Sequence, residues 1–167
     1  MKLIIFHSNL LQFGGVDTFV YNMIKRLKSI YDITFLYNTA NERSLNRIKD
    51  EAIKTEKYNS KKTYICDMCL VASAWGGYPD SVISLNNNYI QMIHADYVKM
   101  KEMNFIYNKW YKTTIHVGVS DFVCEQFKKL YPEEEIIRIY NILDAKQETK
   151  QILKLISATR LSKEKRI

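Results

Sequence analysis

The sequence predicts an α/β fold built on a parallel sheet with helices on both faces. Short apolar runs of strand period alternate with amphipathic segments of helical period. The alternation continues from Leu3 to Ala158. Only 5 Gly and 2 Pro punctuate the 167 residues, so a long disordered linker is not expected. Strand–helix alternation requires crossover connections, which place helices over a parallel sheet.

The elements follow in order. Leu3 to His7 is a first strand and Ser8 to Gly15 a loop. Val16, Phe19, Val20, Met23, Ile24, Leu27 and Ile30 then recur at helical spacing and define an amphipathic helix. Asp32 to Tyr37 is a second strand, and Asn41 to Lys54 a more polar helix. Asp67 to Ala74 is a strand ending at Trp75-Gly76-Gly77, and Tyr89 to His94 another. Val98 to Lys112 reads as a helix and Thr114 to Val119 as a strand. Ser120 or Asp121 N-caps a helix to about Leu130. Ile136 to Tyr140 is a strand ending at Asn141, Asp144 to Lys150 a polar connector, and Ile152 to Ala158 a last strand. In open α/β sheets ligands bind outside the carboxyl ends of the strands. Polar residues and glycines at those ends, from Ser8 to Gly15, at His94, at Ser120 and at Asn141, therefore carry more weight than their identities alone.

Hydrophobic residues make up 47% and charged residues 26%, as in a globular domain with a full core. The longest apolar runs are too short to span a bilayer. The start, Met1 to His7, reads as a strand rather than a signal peptide, so a cytoplasmic protein is expected. The net charge of +7 is uneven: residues 147–167 hold six Lys/Arg and two Glu, hence +4. A basic end of this kind suits nucleic acid, an anionic membrane surface or a phosphorylated ligand.

Of the 3 Cys, Cys66 and Cys69 match Cys-x-x-Cys. No second pair supplies the remaining ligands of a structural zinc site. On one continuous strand the two sulfurs point to opposite faces, so they read as small buried thiols. Gly14-Gly15, just before the best helix, is either a plain turn or a place where free N–H groups meet phosphate. Asp17, in the first turn, favours the helix but opposes an anion close by. His94 ends an apolar strand, as a structural residue or as a hydrogen-bonding or basic group. His7 has the same placement and a weaker case, and His116 reads as filler. Arg160 and Lys165 flank the turn after the last strand, where a guanidinium fork and a point charge could clamp a diphosphate. Tyr89, Tyr97, Tyr107, Trp110 and Tyr111 read as core packing, with stacking on sugars or bases as the alternative.

Four stretches together resemble the N-terminal half of a retaining GT-B glycosyltransferase of the group 1, family-4 type. Gly14-Gly-Val-Asp-Thr-Phe-Val20 resembles that family's Gly-Gly-x-Glu loop and first helix. His94 matches an active-site histidine position. Val119-Ser-Asp-Phe-Val-Cys-Glu-Gln-Phe127, followed by Ile139-Tyr-Asn-Ile-Leu-Asp144, resembles Val-Ser and Tyr-Asn-Gly-Val-Asp. Ala158-Thr-Arg-Leu-Ser-Lys-Glu-Lys165 resembles Gly-Arg-Leu-x-x-Glu-Lys-Gly. Thr159, Arg166 and Ile142 stand where the family has glycine.

The resemblance implies a Rossmann-like, acceptor-side domain over residues 1–145. Residues 146–167 would be a linker and the first strand of a truncated donor domain. It implies a nucleotide-sugar donor, a glycan or lipid-linked acceptor, no metal and no nucleic-acid partner. It also fits peripheral contact with the inner face of a membrane. His94 would line the reacting centre. Gly14, Gly15, Arg160 and Lys165 would hold the donor phosphates, with Ser120 and Asn141 beside the cleft. The donor domain, which carries the Glu-x7-Glu motif, is absent, so the 167-residue chain is expected to be inactive alone. The alternative is a non-catalytic module that pairs with a separate donor-domain chain. A third reading is a flavodoxin-like or nucleic-acid-binding domain, marked by salt-dependent affinity for DNA or RNA.

Overall fold

The computed structural model describes residues 1–10, 14–73, 78–104 and 115–140. The expectations placed on Trp75-Gly76-Gly77, on Tyr107, Trp110 and Tyr111, and on everything from Asn141 to Ile167 lie outside the described residues.

The strands are β1 (Lys2–Leu10), β2 (Asp32–Ala40), β3 (Lys54–Lys57), β4 (Tyr64–Cys66), β5 (Met68–Ser73), β6 (Val82–Ser84), β7 (Tyr89–Ile93), β8 (Ile115–Gly118) and β9 (Ile136–Arg138). The helices are α1 (Gly15–Leu27), α2 (Glu42–Lys49), α3 (Tyr97–Glu102) and α4 (Asp121–Leu130). Among the described residues seven strands form a sheet in the order β3-β2-β1-β5-β7-β8-β9, and β4 pairs with β6 in a second, small sheet. Every pairing is parallel. The chain is therefore a Rossmann-like α/β domain, as the alternation predicts.

Alternation along the strands sorts the core. Leu3, Ile5, Ile33, Phe35, Leu70, Met92 and Val117 face the buried stripe of α1 (Phe19, Val20, Met23, Ile24) and Ile48 of α2. On the opposite face Ile4, Phe6, Leu36 and Val71 pack beneath Tyr64, Cys66 and Val82 of the small sheet. Ile93 packs there beneath Val123 and Phe127 of α4. Each fully buried Ile, Leu or Phe side chain contributes about 1.5–3 kcal/mol. Three helices carry side-chain N-caps: Asn41 accepts from the Ser44 N–H, Asp96 from Lys99 and Ser120 from Val123. Ser120 is thus the cap that the sequence offers as one of two choices.

Tertiary pairing redraws several boundaries. β1 runs on through Ser8 and Asn9 to Leu10, because β2 pairs with it from Lys2↔Asp32 to Leu10↔Ala40. These residues are strand, not loop. α1 stops at Leu27, and Ile30 stands 67% exposed beyond it. The second helix ends at Lys49 rather than Lys54. Ala52 turns the chain in the left-handed region (φ 57°), and residues 54–57 pair with β2 as an edge strand.

The strand expected from Asp67 is preceded by β4, which ends at Cys66. Cys66 and Cys69 therefore sit on two strands and share one apolar cluster, which corrects the opposite-face argument. Both thiols are buried. Burial pushes the Cys66 thiol up to about 11, and it donates weakly to the Ile83 carbonyl at 3.7 Å. Both properties make it an inert core residue.

Gly118, the last residue of β8, is held to glycine by packing. A Cβ there would lie 2.4 Å from Cys124 Sγ and 3.2 Å from Ile136 Cδ1. Gly118→Ala is expected to destabilise the domain by about 1–3 kcal/mol in denaturant unfolding. Adding Cys124→Ala should return much of that loss. A double variant no more stable than Gly118→Ala alone would contradict this account.

Candidate functional site

Counted within the main sheet alone, the strand order is 3-2-1-4-5-6-7, so the winding direction reverses between β1 and β5. Folds of this kind bind ligands in the crevice outside the carboxyl ends at that reversal. The end of β1, the start of α1 and the end of β7 supply the candidate site.

Gly14 is the N-cap of α1, with an extended backbone (φ −86°, ψ 177°) and no side chain to cap the helix. The ladder begins with the Thr18 N–H on the Gly14 carbonyl at 3.0 Å. The N–H groups of the preceding residues of the turn have no acceptor within the helix. A Cβ at Gly14 or Gly15 would meet nothing within 4 Å among the described residues. Neither crowding nor a left-handed backbone demands glycine here. Both glycines are exposed, at the end where the helix dipole is positive.

His7 pairs with Ser73, the last residue of β5, just after a register shift between Phe6 and His7. It is 3% exposed. Its Nε2 lies 2.7 Å from Asp17 Oδ1, in the first turn of α1. Its Nδ1 is buried without a hydrogen-bond partner among the described residues, as are Ser8 Oγ and His94 Nε2. An unsatisfied buried polar atom costs about 1–3 kcal/mol.

His94 follows β7 and packs edge-on against Phe19 of α1, ring centroids 5.1 Å apart. Burial, with a smaller effect from the field of His7, lowers its pKa to about 4. At neutral pH it is an uncharged imidazole, able to donate one hydrogen bond and accept another. The Val119 N–H donates to the Ile93 carbonyl at 3.2 Å. That bond continues the β7–β8 register, in which Ile93 pairs with Gly118, so Val119 stands level with His94 and Ser120 follows it. The Ser120 hydroxyl is used by the α4 cap, accepting from Val123 at 3.2 Å.

The structure thus brings His94 to the opening turns of α1, which Gly14-Gly15 begins, and places Ser120 on the adjacent strand. Asn141, Arg160 and Lys165 lie outside the described residues. His7 and Asp17 are the pair that sequence reasoning undervalued. Both were visible, one at a strand end and one in a first turn, but only the fold closes the gap between them. His116 is 2% exposed and packs on Phe127, which places it in the core rather than the site.

A shallow concavity at the opposite, amino-terminal edge is lined by Met1, Lys2, Asp32, Ile65, Cys66, Asp67 and Leu85. It lacks the uncovered helix turn and the buried imidazoles of the carboxyl edge. Among the described residues no group of three or more His, Cys, Asp or Glu side chains is placed to hold a metal ion. No described helix is long and apolar enough to cross a membrane. Comparison of the chain with protein families, with curated proteins and with solved structures found no match.

Proposed function

We propose that this chain is the acceptor-side domain of a retaining glycosyltransferase, one that moves a sugar from a nucleotide-sugar to a glycan or lipid-linked acceptor. One juxtaposition carries the reading: a largely enclosed, neutral His94 in ring contact with Phe19 of α1, the helix that opens at Gly14-Gly15 beside the reversal of the sheet. In the reaction, the bond between the anomeric carbon and the diphosphate breaks, and negative charge grows on the leaving group. N–H groups fixed in place before the reaction stabilise such charge without reorganising. The Gly14-Gly15 turn supplies them, and Arg160 and Lys165 complete the clamp. His94, uncharged, hydrogen-bonds hydroxyls at the reacting centre without attracting anions to it. Ser120 and Asn141 border the cleft.

The donor half, with the nucleotide pocket, belongs to a further domain. The chain works on the cytoplasmic side, with peripheral contact at the inner face of the membrane where the acceptor is lipid-linked.

The test is turnover of a nucleotide-sugar panel with glycan and lipid-linked acceptors. The 167-residue chain alone is expected to give none, and activity should appear when a Glu-x7-Glu donor domain is joined after Ile167. Robust turnover by the chain alone contradicts the division of labour. Silence of the joined protein toward every donor, together with salt-dependent binding of nucleic acid, would replace the reading.

A further inference from the structure

Asp17 poses a problem for any anion at the Gly14-Gly15 turn. A carboxylate in the first turn of α1 should repel it. The structure shows where that charge is directed: Oδ1 lies 2.7 Å from Nε2 of the buried His7, and the two side chains are only 11% and 4% exposed. With Nε2–H donating to the carboxylate, the remaining nitrogen, Nδ1, stays buried and has no hydrogen-bond partner among the described residues. This bond is also a direct polar tie between β1 and the opening turn of α1. It therefore fixes where the uncovered N–H groups stand relative to the strand end, and it fixes Phe19, one half-turn on, against His94.

We infer that Asp17 and His7 are positioning residues, a carboxylate–imidazole clamp that holds the first turn of α1 in place to bind a diphosphate. The inference rests on the proposed phosphate role of Gly14-Gly15. It makes a prediction opposite in sign to simple electrostatics. If Asp17 acts only as a charge near the anion, Asp17→Asn removes a repulsion and tightens binding. If Asp17 is a clamp, Asp17→Asn weakens binding, because the amide replaces a charge-assisted bond with a weaker one.

The experiment titrates the full 167-residue chain, labelled with 15N, with inorganic pyrophosphate. It follows the Gly14 and Gly15 amide resonances, with thermal unfolding run on every variant to show that it is folded. The native chain should show saturable shifts at both amides. Asp17→Asn should weaken binding roughly tenfold, the scale of one charge-assisted hydrogen bond. His7→Leu should do the same. His7→Gln, whose amide can donate from about the position of Nε2, should restore most of the affinity. Tighter binding by Asp17→Asn, or equal losses in His7→Leu and His7→Gln, overturns the clamp while leaving the phosphate site intact. No shift at Gly14 or Gly15 in the native chain overturns the phosphate site, and the clamp falls with it.

Discussion

Lowering the pH from 6.5 to 5 is expected to cost the native domain about 2 kcal/mol of stability, with His94 the main source. Its imidazole has an ordinary pKa of 6.5 when exposed and about 4 in the fold, because burial and the field of His7 disfavour the charged form. Between those values the unfolded chain takes up a proton that the folded chain refuses. Stability therefore rises with pH across this window and falls as acid is added, by about 1.4 kcal/mol per unit. Well above pH 6.5 both states are neutral and the slope vanishes. Below about 4 both are charged and the loss levels off. His116, whose pKa is also lowered by burial against a weaker opposing pull from Glu134, adds in the same direction.

The chosen window avoids three carboxylates. Glu51 is held below its ordinary range by hydrogen bonds from Lys28 and Tyr21, Glu56 by Lys62, and Asp121 by Arg138 and Tyr140. Their stabilising contributions are lost only in stronger acid. Urea unfolding of the native chain and of His94→Gln at pH 6.5 and 5 makes the comparison. The glutamine variant should lose most of the slope. An unchanged slope would mean that His94 is not the buried neutral base described here.

Phe127→Ala is expected to destabilise the domain by about 3–5 kcal/mol, the usual result of emptying a buried aromatic site. Phe127 is fully buried. Its ring meets His116, Tyr131 and Tyr97 at centroid distances of 4.9, 5.1 and 5.6 Å. It also packs in the cluster that joins α4 to β7, through Val123 and Ile93. Removing it opens a cavity between α4 and the sheet, and three neighbouring rings lose an edge or face partner. Phe127→Leu, which refills most of the volume, should cost far less. Denaturant midpoints measure both. A loss under 1 kcal/mol for the alanine variant would show that the α4 layer collapses without penalty, contrary to a close-packed core.

The two effects bear on different parts of the molecule. Phe127 holds the half of the sheet that presents Ser120, whereas His94 lies in the site itself and makes the site costly in acid. A site that lowers stability is expected where function requires groups that a core would not select.

Much of the frame was legible in the chain. The stripe Phe19, Val20, Met23, Ile24 gave α1, because a helical period leaves a distinct mark over that many residues, and the short, continuous apolar run Leu3 to Phe6 gave a strand. The Ser120 cap was legible because a hydroxyl just before a helix has one favoured use. The short strands β4 and β6 were not legible. Three residues, as in Tyr64-Ile65-Cys66, hold too little pattern to show a period. β3 was hidden in the same way: residues 54–57 are strand because they lie against β2, and the turn before them uses Ala52 rather than a glycine that would have announced it.

At the site, sequence alone marked Gly14, Gly15 and His94 through their places at strand and helix ends. It could not show that His7 and Asp17 meet. A hydrogen bond between residues of two elements depends on how α1 packs over the sheet, and no local pattern records that distance. Nor could it decide the charge of His94. An imidazole titrates according to the water and fields around it, and only burial beside Phe19 and His7 makes this one neutral. By itself the sequence determined a parallel α/β domain with glycines and a histidine at the carboxyl edge of its sheet. The tertiary structure decided which of those groups share a dry space, because dielectric and contact arise from the packing of distant segments.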